Sequence, residues 1–304
     1  MDAKVCESGH LMLIMPERVF YAGLLGRPRE RCPGALHVYV SIKGGLRLMT
    51  ADGGDACGEL FVVPPNRRHT ITSDFRSAIC VVIEPESVDA GAFDALAGRL
   101  SGPEGQLVAG RIRAAYEQLR DLQYRDGITS AELDIMCFGE PLPPRSLDPR
   151  VVRSIAQIDT FSGGPVTAAG CAAAAGLSSS RFLHLFKQET GISFRAFRAW
   201  KRARHLLHFA NQDLNLAHLA QDIGYPDSTH FSHSIRRFYG LKPRAIFSGS
   251  RDLAIYRSDP GVLGANRQGR ARRRLEPAIA RGRKKAGRRG THDPPRTLRA
   301  HPKT

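Results

Sequence analysis

Gly176-Leu177-Ser178-Ser179-Ser180-Arg181-Phe182-Leu183-His184-Leu185-Phe186-Lys187, closed by Gly191, has a second copy further along the chain. That copy reads Gly224-Tyr225-Pro226-Asp227-Ser228-Thr229-His230-Phe231-Ser232-His233-Ser234-Ile235-Arg236, closed by Gly240. Phe182, His184, Phe186 and Gly191 fall in the same order as Phe231, His233, Ile235 and Gly240, with one extra residue after the second opening glycine. A repeat of this kind marks one supersecondary unit used twice.

Each unit is legible from its residues. Val166–Ala175 has a strong helix-forming composition, and Gly176 ends it where the chain must visit positive φ. Ser178 is placed to cap a second helix, on which Phe182, Leu185 and Phe186 share one face at i, i+3, i+4. In the second copy Leu216–Ile223 leads, Gly224 turns, Asp227 or Ser228 caps, and Phe231, Ile235 and Phe238 form the inner stripe. Two helices joined at a glycine turn, the second presenting small polar and basic residues, make a helix-turn-helix.

The segment Asp148–Phe247 resembles the DNA-binding domain of the AraC/XylS family of bacterial transcription regulators. The resemblance rests on Gly-Leu-Ser at 176–178, Phe186-Lys187, Gly191, Ala203, Leu206-Leu207 and Ala220-Gln221-Asp222-Ile223-Gly224-Tyr225. It continues through Ser228-Thr229-His230-Phe231-Ser232 and Arg236-Arg237-Phe238-Tyr239-Gly240-Leu241-Lys242-Pro243. The chain departs from the family pattern with His233 in place of arginine, Ile235 in place of phenylalanine and Lys242 in place of serine or threonine. No Tyr-Arg pair follows Pro243. These departures bear on which DNA sequence is read and leave the expected fold intact.

By position, the resemblance implies that Ser180, Leu183 and His184 face bases in the first unit, and Ser228, Thr229, Ser232 and His233 in the second. Ser179, Arg181, Lys187, Arg236, Arg237 and Lys242 are then phosphate contacts, which position the protein without reading sequence. Plain solvated surface is the competing reading of His184 and His233. The helix from about Ser193 to Phe209 would connect the units, with Arg195, Arg198, Lys201, Arg202 and Arg204 facing solvent or phosphate. Ahead of the first unit, Asp148-Pro149 opens a helix over Val151–Thr160, with aspartate as cap and proline at the first helical position.

From Leu36 to Val82 the pattern is β: Leu36–Ile42, Leu46–Thr50, Glu59–Val63, Thr70–Thr72 and Ala78–Ile83, separated by Gly, Asp and Pro turns. Such spacing predicts a small antiparallel barrel or jelly roll. The run Leu60-Phe61-Val62-Val63-Pro64-Pro65-Asn66-Arg67-Arg68-His69 is similar to the cupin-type sensor domain of many AraC-family regulators. Metal-binding cupins carry a His-x-His pair and a glutamate, whereas this chain offers His37-Val38-Tyr39 with Lys43 near the acid position. His37 and His69 beside a lysine make a poor divalent site, so neither a metal nor another cofactor is expected. A pocket for a small organic effector fits better, with His37, Tyr39 and His69 as candidate contacts; alternatively His69 satisfies a loop backbone.

Between Glu104 and Met136 the period is helical. Val108, Ile112, Ala115, Leu119 and Leu122 form an a/d-like seam, which either packs on the barrel or makes a homodimer contact. Ser130 begins another short helix. The prolines of Gly139–Ser146 mark a linker. Residues 1–147 carry 16 Lys/Arg against 19 Asp/Glu, residues 148–247 carry 13 against 6, and residues 248–304 carry 16 against 4. Much of the net charge of +16 therefore lies in the last stretch, whose runs Arg272–Arg274 and Arg283–Lys285 predict a disordered basic tail. The six cysteines at 6, 32, 57, 80, 137 and 171 lack Cys-x-x-Cys spacing and read as reduced thiols, with a redox-sensing pair as the alternative. The sequence has no visible targeting segment and no apolar run of membrane-spanning length.

The expected class is α+β and multidomain: a cupin-like antiparallel barrel with helices, then an all-α tandem helix-turn-helix domain. The boundaries are 1–100 for effector sensing, 101–138 for a helical dimerisation or packing segment, 139–147 for the linker, 148–247 for the DNA-binding domain and 248–304 for the tail. The expected function is that of a cytoplasmic, nucleoid-associated transcriptional activator, not an enzyme. Its partners would be promoter DNA, a small-molecule effector, RNA polymerase and a second copy of itself, with no membrane. The rival reading is a cupin enzyme or metal-dependent sensor carrying an accessory DNA-binding module; a basic architectural protein is a third.

Overall fold

Strand sequences that are apolar on both faces organise the amino-terminal half. In the computed structural model, which describes residues 9–121, 127–160, 166–249 and 252–257, nine strands form two sheets. The larger has the order β6-β3-β8-β2-β1-β9 and the smaller the order β5-β4-β7. Their ranges are β1 Leu11–Ile14, β2 Arg18–Leu24, β3 Leu36–Ser41, β4 Leu46–Thr50, β5 Asp55–Gly58, β6 Leu60–Val63, β7 His69–Ser73, β8 Ser77–Ile83 and β9 Ala254–Arg257. Successive side chains of a strand point to opposite faces, and here both faces are covered. Leu13, Phe20, Val38, Val81 and their like-facing neighbours pack with helices α1 (Ala90–Ser101), α2 (Gly105–Arg120) and α3 (Ser130–Phe138). Met12, Val19, Tyr39 and Val82 face a second core shared with β4, β7 and the carboxy-terminal helices.

This two-sided burial explains several differences from the sequence reading. Leu11–Met15 is apolar throughout because β1 hides both of its faces, and neither β1 nor β2 is among the strands read from alternation, which begin at Leu36. Helix α1, capped by Asp89, was not anticipated either, and β5 occupies residues read partly as a turn. No closed barrel is formed among the described strands, which lie in two separate sheets. The architecture is therefore a sheet-rich amino-terminal region followed by a helical carboxy-terminal region.

The seam on α2 has its place inside the chain. Val108, Ile112, Ala115 and Leu119 are each at most 2% exposed and pack in the core beneath the larger sheet; Leu122 lies outside the described residues. A contact between copies through these four side chains would require dismantling that core. The outer face of this helical layer instead exposes Leu107, Ala114 and Ile135. A buried bidentate pair, Arg18 to Asp134 at 2.9 Å on both arms, ties β2 to α3.

The carboxy-terminal helices are α4 Pro149–Asp159, α5 Ala168–Ala174, α6 Ser179–Thr190, α7 Phe194–His205, α8 Leu216–Asp222, α9 Ser228–Tyr239 and α10 Pro243–Gly249. The connecting helix read as continuous to Phe209 is α7 followed by a 3-10 turn over Leu206–Phe209. The first unit has its own core, where Phe186 meets Phe194 and Phe197 edge-on at 5.1 and 5.2 Å. The second does not: Trp200, Phe231, Ile235 and Phe238 are continuous with the sheet core. Strand β9 pairs in parallel with β1, Leu11 opposite Ala254 through Ile14 opposite Arg257. It lies in the stretch expected to be tail; both arginine-rich runs fall outside the described residues.

Candidate nucleic-acid interface and the adjoining cavity

Local chemistry sets the second helix of each unit, α6 and α9. Ser178 Oγ accepts from the Arg181 amide at 3.4 Å, capping α6. Asp227 Oδ1 accepts from the Thr229 and His230 amides, both at 2.8 Å, capping α9; of the two caps the sequence allowed, aspartate is used. Gly176 has φ +65° and Gly224 φ +82° at the turns, where glycine avoids the Cβ penalty. Asp148 caps α4, with Pro149 at its first turn.

On α6, Phe182 and Phe186 point inward, while Ser179, Ser180, Arg181, Leu183, His184 and Lys187 are exposed. On α9, Phe231, Ile235 and Phe238 are buried, Ser228, Thr229, His233, Arg236 and Arg237 are exposed, and Ser232 is half-buried. The Arg237 guanidinium stacks on the Phe238 ring at 5.3 Å. Lys242 is set apart from this face: it lines a cavity against the sheet.

Three basic residues of α7 have structural positions, not the solvent or phosphate positions expected of them. Phe197, Trp200, Lys201 and Arg204 fall at i, i+3, i+4, i+7 and so share one face, and that face meets the end of the larger sheet. Lys201 Nζ lies 2.6 Å from Glu86, 3.6 Å from Glu84 and 3.7 Å from Asp159. Arg204 pairs with Glu84 at 2.8 Å, and Trp200 Nε1 donates to both Glu84 oxygens at 3.0–3.1 Å. Burial opposes the Lys201 charge, yet the surrounding carboxylates hold its pKa above the usual lysine value. Burial raises the Glu86 carboxyl, against the lowering effect of Lys201. Arg202 donates to the Gly224 carbonyl at 2.7 Å and lies over the Tyr225 ring, bracing the second turn. Two cations on an otherwise apolar stripe were the available signal; their shared partner Glu84 and the neighbouring Glu86, more than a hundred residues away, were not deducible.

The three effector candidates are brought together. Tyr39 Oη and His69 Nε2 are 3.0 Å apart, and the His37 and Tyr39 ring centroids 5.7 Å. Each histidine places Nδ1 3.0 Å from a carbonyl, of Ala35 and Arg67 respectively, so Nδ1 carries the proton and donates. His69 Nε2 is then the acceptor for the Tyr39 hydroxyl. Burial is the main cause that pulls His37 down to about 3 and His69 to about 4, with the Arg31 charge adding to both; both imidazoles are neutral near pH 7. His37 and Tyr39 line a cavity of about 500 Å³ between the sheet and the second unit, and His69 stands behind Tyr39. Sequence reasoning missed the loop before β3 that supplies Arg31, and the wall made by Phe238, Leu241 and Ile246. Among the described residues no three His, Cys, Asp or Glu side chains gather as a metal site, and no helix is long and apolar enough to cross a membrane. Cys32, Cys80, Cys137 and Cys171 are buried free thiols and Cys57 is exposed.

With this geometry in view, residues 171–248 match a family described as a helix-turn-helix domain. Over 81 residues the chain is 40% identical to the HTH-type transcriptional activator RhaS of Escherichia fergusonii; the match takes in 25% of this chain and 28% of that protein. Among solved structures, the C-terminal domain of AraT, a response regulator from Geobacillus stearothermophilus, is similar at 23% identity and TM-score 0.32. That similarity covers 34% of this chain and 87% of AraT's domain. ToxT from Vibrio cholerae is similar at 11% identity and TM-score 0.45 over 76% of this chain and 97% of its own. The DNA-binding domain of AdpA, in complex with a target DNA, is similar at 18% identity and TM-score 0.33 over 34% and 95%. Residues 171–248 therefore form a helix-turn-helix domain of the AraC type.

Proposed function

We propose that the chain is a sequence-specific DNA-binding transcription regulator, an activator, whose α6 and α9 enter successive major grooves about 34 Å apart. The observation that carries this reading is the double exposure. Six of the seven side chains assigned to base contact are exposed on two capped helices, with Ser232 half-buried beside them. Short polar groups near helix starts reach base edges, and Leu183 suits a thymine methyl. Arginine–guanine contacts are scarce among these positions, so Ser179, Arg181, Lys187, Arg236 and Arg237 contribute affinity through phosphates. The basic stretch beyond Arg257 adds salt-sensitive attraction.

In this reading the amino-terminal sheets are the cupin-like sensor, and the cavity beside Tyr39 is where a small organic effector binds. Residues 139–147 link the sensor to the DNA-binding segment. The chain works in the cytoplasm, without catalysis or cofactor, as a homodimer in contact with RNA polymerase. Dimer contact falls to the outer face of α2 and α3, around Leu107 and Ile135, since the inner seam is occupied. The test is selection of genomic fragments by the full chain at physiological salt. One motif with two half-sites about one helical turn apart is the expected result. Equal recovery of random DNA, lost on removing residues 258–304, would sink the proposal.

A further inference from the structure

We propose that the cavity binds a singly charged organic anion, a carboxylate on an apolar body, with its head group on Arg31 and its body between the sheet and α9–α10. Arg31 is 9% exposed and lines the cavity, and among the described residues its Nε and Nη2 have no hydrogen-bond partner. Its backbone is fixed by reciprocal bonds with His69, at 2.8 and 3.0 Å, so the side chain is held at the cavity wall. The Tyr39 hydroxyl is a neutral hydrogen-bonding neighbour, but a buried charge left without a counter-charge is costly, and among the described residues no carboxylate supplies one. The adjacent Glu30 is committed to Arg68 at 2.7 Å, while His37 and His69 are neutral.

The lining gives the sign and the number of the missing charge. Among the described residues it contains Arg27, Arg29, Arg31, Arg76 and Lys242 and no aspartate or glutamate, which disfavours a cationic ligand. Four of these cations are exposed and only Arg31 is buried. One anionic group is therefore neutralised at depth, and a second would be left among apolar side chains. The exposed four raise the local anion concentration instead. The remaining walls, Met12, Val19 and Val82 from the sheet and Phe238 and Ile246 from the second unit, call for an apolar body. Such a ligand touches both halves, so it favours the arrangement in which they are joined, and DNA affinity and ligand affinity must then change by the same factor.

That consequence at DNA rests on the regulator reading; the binding step does not. The test is calorimetric titration of the full chain with decanoate and naphthalene-2-carboxylate, each against the corresponding alcohol. A charge-assisted hydrogen bond predicts that each acid binds about tenfold to a hundredfold more tightly than its alcohol. The preference should collapse to near unity in Arg31→Met and survive in Arg76→Met. Equal binding of acid and alcohol to the unaltered chain, no binding of either, or tighter binding of the dianion decyl phosphate would each overturn the proposal. The acid–alcohol comparison needs no variant, so a poorly folding Arg31→Met leaves the test intact. A separate titration of the selected DNA with and without acid addresses the effector role. Acid binding with no change at DNA upholds the site and overturns that role alone.

Discussion

Replacing Lys201 with methionine keeps most of the side-chain volume and removes one buried charge. Its effect can be worked from the partners. Glu84 keeps Arg204 at 2.8 Å and the Trp200 indole at 3.0–3.1 Å. Glu86 pairs with Lys201 alone among the described residues, so the change orphans one carboxylate that is 8% exposed. Breaking a buried pair on one side costs about 3–5 kcal/mol; the low end, ~3 kcal/mol, applies because Glu86 can escape by taking a proton. Its folded pKa is already raised by burial, and loss of Lys201 raises it further. A carboxyl with a raised folded pKa holds its proton better in the folded state. Its contribution therefore favours folding at low pH and is lost as pH rises through the folded value. The cost of Lys201→Met should be ~3 kcal/mol at pH 8 and smaller at pH 5, where Glu86 takes up its proton more readily. Adding Glu86→Gln should recover much of it. The assay is urea unfolding followed by Trp200 fluorescence, the single tryptophan of the chain, which sits on Glu84. A variant within about 0.5 kcal/mol of the parent at both pH values, a typical surface effect, would refute this account of the junction.

Gly240 has φ +67°, and a Cβ there would meet the Arg29 carbonyl at 2.9 Å, whereas Gly176 has φ +65° and nothing within 4 Å. Gly176→Ala should cost about 1–2 kcal/mol from backbone conformation alone and Gly240→Ala clearly more; urea midpoints that fail to separate the two would contradict the close approach. Arg236→Ala should weaken all DNA fragments alike and reduce the salt slope by about 1, while Ser232→Ala and His233→Ala should alter the selected motif; selection with each variant checks both. Leu119→Asp should unfold the amino-terminal half, because that side chain is fully buried. Leu107→Asp, on the exposed face, should leave the urea transition in place and shift only the sedimentation behaviour.

What the sequence by itself determined is the pair of helix-turn-helix units. Their signals are local: a capping Ser178 or Asp227, a glycine at positive φ, and apolar residues recurring at helical spacing all act within a dozen residues. The strands from Leu36 to Ile83 were legible for the same reason, through alternation and turn residues. The tertiary structure decided how these pieces close on one another. Leu11–Ile14 is a strand because helices cover one face and a second core the other, and no local period reports that. The face on α2 is internal because a sheet lies under it, so periodicity alone left its partner open. Lys201, Arg204 and Arg31 look like surface cations along the chain. Two of them meet Glu84 and Glu86 from the far end of β8, and the third meets no carboxylate among the described residues and lines a cavity. Burial and charge pairing between distant segments decide such roles, and they exist only once the chain has folded.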